Sequence, residues 1–182
     1  MSRKYKFHDQ TKPYFVSFAV MNWIDVFVRF EYSKIILESL AYCMKHKGML
    51  VYSWCIMPSH IHLIFGTNDL PMQDVLRDLK RHTSKALKEK ISCNSQESRR
   101  EWMLNIFQKA GSERSNNSDW QFWQQNNHPI ELDSHEIIKQ KLNYIHENLV
   151  KAGFVENPED WLLSSAKDYA GKKGLLDGLI VD

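Results

Sequence analysis

A chain of 182 residues, 43% apolar and 25% charged, can bury one sizeable core and is too apolar to be disordered throughout. Three cysteines, Cys43, Cys55 and Cys93, with no Cys-x-x-Cys spacing, argue against a disulfide framework or a thiolate zinc site and fit a reducing cytoplasm. A net charge of +2 excludes a uniformly basic protein, so affinity for a polyanion would come from patches: Arg3, Lys4, Lys6 and Lys12, then Lys80, Arg81, Lys85, Lys88 and Lys90.

No signal peptide is recognisable at the start, and no run approaches the roughly 18 apolar residues of a membrane span. A soluble, cytoplasmic protein without a membrane partner is therefore expected. Tyr14 to Trp23, aromatic and β-branched after Pro13, reads as a first strand. Helical spacing of Ile35, Ile36, Leu40 and Cys43 predicts a helix from about Tyr32 to His46, stopped at Gly48. Met49 to Met57 reads as a second strand, and Pro58-Ser59 leaves only a tight turn before the next, so the two should form an antiparallel hairpin.

Pro71 opens a helix to about Lys90, with Val75, Leu79 and Leu87 inward and Arg77, Lys80, Arg81, Lys85 and Lys88 outward. Residues 91–119 read as a flexible insertion around a short helical piece holding Trp102, Leu104, Ile106 and Phe107. Trp120 to Glu131 begins as an aromatic strand. Ser134 then caps a helix from about His135 to Ala152 that Gly153 ends, and a tail extends from about residue 154. Strand, helix, strand, strand, helix, strand, helix predicts one α+β domain over 1–182, an antiparallel sheet covered by helices of the ferredoxin-like (split βαβ) kind.

In the third strand a period of two puts His60 and His62 on one face, with Ile61, Leu63 and Phe65 on the other. Two imidazoles on a rigid strand can hold a divalent ion, although two unrelated surface histidines would give the same pattern. On the last helix Ile138, Leu142, Ile145 and Leu149 form the apolar stripe. Tyr144 and Asn148, four residues apart, share the stripe beside it. A phenol near a metal-polarised phosphate can act as a nucleophile; a tyrosine packed at the core edge is the plainer alternative. His146 turns away from Tyr144 on the wheel, towards a surface or packing role.

Met57-Pro-Ser-His-Ile-His-Leu-Ile, Phe122-Trp-Gln-Gln and Tyr144-Ile-His-Glu-Asn-Leu-Val-Lys-Ala-Gly together resemble the single-tyrosine HUH transposases (IS200-like transposases). Trp161-Leu-Leu-Ser-Ser-Ala is similar to the branch called REP-associated tyrosine transposases. The resemblance implies a ferredoxin-like endonuclease that recognises a hairpin in single-stranded DNA. It implies Mg²⁺ or Mn²⁺ on His60, His62 and Asn148, and strand cleavage and rejoining through a 5′-phosphotyrosine at Tyr144.

Lys80, Arg81, Lys85, Lys88 and Lys151 are candidate DNA contacts, and the protein is expected to act as a monomer or homodimer, associated with the nucleoid. Leu149 stands where proline is usual, so the helix can run on past Asn148. A domesticated, non-cleaving hairpin-binding protein and a water-using phosphodiesterase are the competing readings.

Overall fold

The computed structural model describes residues 7–113, 119–125 and 127–181; Arg3, Lys4 and Lys6 of the first basic patch lie outside them. Strands β1 (Tyr14–Ala19), β2 (Met49–Ile56), β3 (His60–Thr67) and β4 (Ile130–Glu131) form one antiparallel sheet in the order β2-β3-β1-β4. Helices α1 (Phe30–His46), α2 (Met72–Cys93), α3 (Arg100–Ser112) and α4 (His135–Lys151) surround it, with a short α5 (Ala166–Tyr169) near the end. The fold is the expected α+β, ferredoxin-like arrangement.

Alternation along the strands sorts the core into two layers. Val16, Phe18, Ile61, Leu63 and Phe65 face the apolar sides of α1 and α2 in the larger cluster. Phe15, Cys55 and Ile64 point the opposite way and pack with Ile145 and Leu149 of α4. At roughly 25 cal/mol per Å² of apolar surface, each fully buried aliphatic side chain stabilises by about 1.5–3 kcal/mol, which makes both faces of the sheet firmly committed to their helices. Met57 N–H donates to His60 O at 2.8 Å across the Pro58-Ser59 turn, closing the expected hairpin and fixing the register of β3.

The first strand ends at Ala19 rather than Trp23, because the chain turns left-handed at Asn22 and Trp23, and two later elements also differ from expectation. The strand expected over Trp120–Glu131 shrinks to Ile130–Glu131, because Phe122 and Trp123 bury their rings against Phe27, Phe107 and Phe18 instead of alternating across a sheet. The short helical piece is a 13-residue helix, α3, anchored by buried Met103 and Phe107. Ahead of it, Glu97 carries a fully buried carboxylate paired with Arg29 at 2.6 Å and Arg99 at 3.3 Å.

After α4 the chain turns through Gly153, whose φ of +75° is the left-handed conformation that glycine adopts without a Cβ clash. It then returns along the outer edge of β2. Ile56 N–H donates to Leu163 O at 2.9 Å, Ser165 N–H to Trp54 O at 3.0 Å and Leu179 N–H to Val51 O at 2.8 Å. Among the described residues no helix is long and apolar enough to cross a membrane.

Candidate active site

β3 is a central strand, bonded to β2 on one side and β1 on the other, so the backbone carrying His60 and His62 is held along both edges. Their Nε2 atoms converge to 3.1 Å. Asn148, one turn beyond Tyr144 on α4, brings its amide Nδ2 to 2.9 Å from His62 Nε2. Helix α4 is able to do this because Ile145 and Leu149 are buried on the same face of the sheet as the histidines, and because Ser134 Oγ accepts from Ile137 N–H to start the helix. The helix continues through Leu149 to Lys151, as leucine in place of proline permits.

Burial lowers the pKa of His60 to about 4. For His62 it is lowered to about 3, by burial first and then by the charges of His60 and Lys141. Both imidazoles are thus neutral at pH 7, with lone pairs free for a cation. His60 Nδ1 has Ser59 Oγ at 3.2 Å, the kind of partner that orients a ligating ring, whereas His62 Nδ1 is buried without one.

His62 Nε2 faces both His60 Nε2 and the Asn148 amide; in the tautomer with its proton on Nδ1 it has one lone pair for the two of them. A cation would resolve this: with half a turn about the terminal amide torsion exchanging Nδ2 for the carbonyl Oδ1, His60, His62 and Asn148 would offer it two nitrogens and one oxygen. His60 Nε2 and His62 Nε2, 3.1 Å apart, would then stand side by side as donors to one ion. The residues therefore fit a divalent ion, and the mixed donor set suits Mn²⁺ better than Mg²⁺, which favours oxygen alone. Among the described residues no three His, Cys, Asp or Glu side chains gather into a metal-binding group, so the amide is needed as third donor.

Tyr144 is 44% exposed, with its ring edge-on to His62 at 5.2 Å and to Phe15 at 5.9 Å between centroids. It is reachable from solvent yet held beside the histidines. Lys141, not singled out from the sequence, places its ammonium 5.1 Å from the Phe15 ring and 5.7 Å from the Tyr144 ring. The one sequence signal for it is its place a helical turn before Tyr144.

His146 is buried and bonded to Ser165 Oγ at 2.9 Å and Ser53 Oγ at 3.2 Å, with its pKa lowered to about 4 by burial. Of the two roles expected for it, packing is the one found. It ties α4 to β2 and to the returning C-terminal segment.

The basic candidates separate from this cluster. Helix α2 covers the opposite face of the sheet, through Val75, Leu76, Leu79 and Leu87. Lys80 does not point outward: its ammonium donates to Gln124 O at 3.0 Å and Asn127 Oδ1 at 2.6 Å and lies 5.5 Å from the Phe18 ring, because the chain around Gln124 and Asn127 folds over it. Arg81 meets Asp78 at 3.5 Å, Lys85 lines a groove between α1 and α2, and Lys88 sits 5.3 Å from the Trp120 ring. Lys151 is exposed and pairs with Glu147 at 3.6 Å.

Residues 20–108, which include His60 and His62 but stop short of α4, match the family model described as Transposase IS200 like. No curated protein matches the chain. Among solved structures, a REP-associated tyrosine transposase bound to a REP hairpin is similar in fold, with a TM-score of 0.66 and 17% identity over 100% of this chain and 94% of that one. A protein described as a transposase from Deinococcus radiodurans R1 aligns with a TM-score of 0.39 and 18% identity, over 81% of this chain and 95% of that one, a likeness too loose to argue from. The family match spans just under half of the chain and includes the histidine motif read from the sequence, so over that stretch the chain is similar to the IS200-like transposases.

Proposed function

We propose that this chain is a divalent-metal-dependent endonuclease and transposase that recognises a hairpin in single-stranded DNA and cuts and rejoins strands through Tyr144. The observation that carries the reading is the convergence of His60, His62 and Asn148 beside an exposed tyrosine on one helix. Mn²⁺ or Mg²⁺ held by those three residues supplies charge withdrawal from a scissile phosphate.

The remaining chemistry belongs to the chain. Tyr144 Oη attacks phosphorus, the new bond is a 5′-phosphotyrosine, and the bond from phosphorus to the 3′ oxygen breaks. The phenol proton balances the leaving 3′ oxygen, which departs as a hydroxyl. That hydroxyl can later attack the phosphotyrosine and restore the strand, so joining needs no ATP. Lys141 brings positive charge towards the tyrosine and the phosphate as negative charge develops there. Packing of the ring against Phe15 and His62 limits the orientations that the nucleophile can take. Arg81, Lys85 and Lys88, and Lys151 on α4, supply phosphate contacts to the hairpin, which position DNA without reading its sequence.

Labelled hairpin DNA run on a denaturing gel tests the reading. A covalent protein–DNA species supports it, binding without that species supports a non-cleaving hairpin-binding protein, and cleavage without it supports a water-using phosphodiesterase.

A further inference from the structure

β1 ends at Ala19, and the chain then makes a tight turn in which Asn22 and Trp23 both take left-handed backbone, at φ 54° and 55°. A tryptophan rarely adopts that conformation, because its Cβ crowds the backbone. Here the turn is pinned on several sides: Val20 N–H donates to Ser59 O at 2.9 Å, Met21 N–H to Phe122 O at 2.8 Å and Trp23 N–H to Val20 O at 3.0 Å. Burial of the indole does not offset the strain, since Trp23 is 58% exposed. Its ring stands edge-on to His60 at 5.2 Å. Strain that is held in place by its surroundings, and that presents a large exposed ring next to the histidines, points to a ligand rather than to packing.

A cavity of about 130 Å³ opens under that ring, lined by Ser17, Ala19, Trp23, Gln124, Gln125 and His128. Ser17 and Ala19 are the ladder partners of His62 and His60. The cavity floor is therefore the same sheet face as the histidines, while Tyr144 sits over Phe15 at the other end of β1. One wall is rigid: Gln124 N–H donates to Ala19 O at 2.8 Å, Gln124 Nε2 to Val20 O at 3.0 Å, and Lys80 braces Gln124 O and Asn127 Oδ1 from behind. Asn127 O in turn accepts from Ser17 N–H at 3.0 Å.

We infer that this cavity is a binding site for one unpaired nucleobase, next to the point of cleavage, with Trp23 as its stacking platform and Gln125 reading the base edge. The cavity has the size of a single base. An exposed indole on one side accepts the π-face of any base, and an exposed glutamine amide offers the donor and acceptor pair that base edges require. The inference rests on the reading of the neighbouring cluster as a DNA-cleaving site, but it predicts binding that needs no cleavage.

The test is the affinity of the full chain for short oligo-dT, oligo-dA and oligo-dC, and for an abasic sugar-phosphate strand of equal length, measured by fluorescence anisotropy. The wild-type protein should bind at least one base-bearing strand about five-fold or more tighter than the abasic strand. Trp23→Ala and Trp23→Gly should remove that preference, and Trp23→Phe should keep part of it. Glycine suits the left-handed backbone, so Trp23→Gly should stay folded, which circular dichroism verifies. Gln125→Ala, at an exposed position, should narrow the differences among the base-bearing strands whatever the Trp23 variants do. Absence of any base preference in wild type, or its persistence in both Trp23→Gly and Gln125→Ala, would overturn the inference. Failure to form a tyrosine adduct in the gel assay bears on Tyr144 alone and leaves this comparison intact.

Discussion

Asn148 Nδ2 lies 2.9 Å from His62 Nε2, a contact that joins the helix carrying the tyrosine to the strand carrying the histidines within a single chain. Tyr144, the proposed nucleophile, thus lies beside His62 of the same chain. Equal amounts of Tyr144→Phe and His62→Ala protein, each expected to be inactive alone, should therefore stay inactive when mixed. Substantial adduct in the mixture, read on a denaturing gel, would show that copies exchange α4.

Tyr144→Phe is expected to abolish the covalent adduct while the protein stays folded, since the ring that packs on Phe15 and His62 is kept and only the hydroxyl is removed. Two other tyrosines, Tyr14 and Tyr32, are poorly placed to substitute. Tyr14 is buried, and its hydroxyl donates to Glu131 at 2.6 Å; burial and then that hydrogen bond raise its pKa. Tyr32 is buried and bonded to Asn94. Mass spectrometry of a nuclease-trimmed adduct should map the nucleotide to Tyr144, and a nucleotide on any other tyrosine would refute the assignment.

His60→Ala and His62→Ala should each eliminate metal-dependent cleavage while leaving much of the DNA binding intact. Asn148→Ala should be milder, because it removes one neutral amide oxygen and leaves both imidazoles, so metal affinity should weaken without being abolished. Activity of Asn148→Ala should recover at high Mn²⁺, and titration of Mn²⁺ against cleavage rate checks this. A rate deficit that no Mn²⁺ concentration reduces would place Asn148 outside the metal site.

Lys80 supplies the pH dependence. Burial lowers its pKa to about 8 from 10.5, so between pH 8 and 10.5 the unfolded chain holds a proton there that the folded chain has released. More protons on the unfolded side means that stability rises with pH. The contribution gains on the order of 3 kcal/mol across that window, at about 1.4 kcal/mol per pKa unit, and is flat below pH 8. Chemical denaturation of wild type and Lys80→Met across pH 7–11 should show this rise in their difference. A difference independent of pH would mean that the ammonium titrates at its ordinary value.

Charge reversal at Arg81 and Lys85 should weaken hairpin binding and lower the slope of log K against log salt by roughly 0.7–0.9 for each phosphate contact that the substitutions remove. An unchanged slope would assign that side of α2 to solvent.

Local signals are the ones that sequence carries. Alternation in His60-Ile61-His62-Leu63 fixes the two faces of a strand with no tertiary information, and the spacing of Ile145 and Leu149 does the same for α4. The pairing of Tyr144 with Asn148 is legible for that reason. Over Trp120–Glu131 the residues mislead, because aromatic content marks burial as well as β structure, and Phe122 and Trp123 satisfy it by ring packing. Lys80 misleads too, because a helical wheel shows which way a side chain leaves the helix, not what folds over it. Trp23 passes for the end of a strand, since nothing local announces that the chain turns left-handed after Ala19.

The returning C-terminal segment closes off what would otherwise be an eight-residue open edge on β2. The opposite edge of the sheet is β4, only two residues long. Among the described residues, neither edge of the sheet therefore presents a long row of free amides and carbonyls on which a second strand could template. Cutting the chain back to α4 would uncover that edge of β2 and make strand addition through it a route to polymerisation.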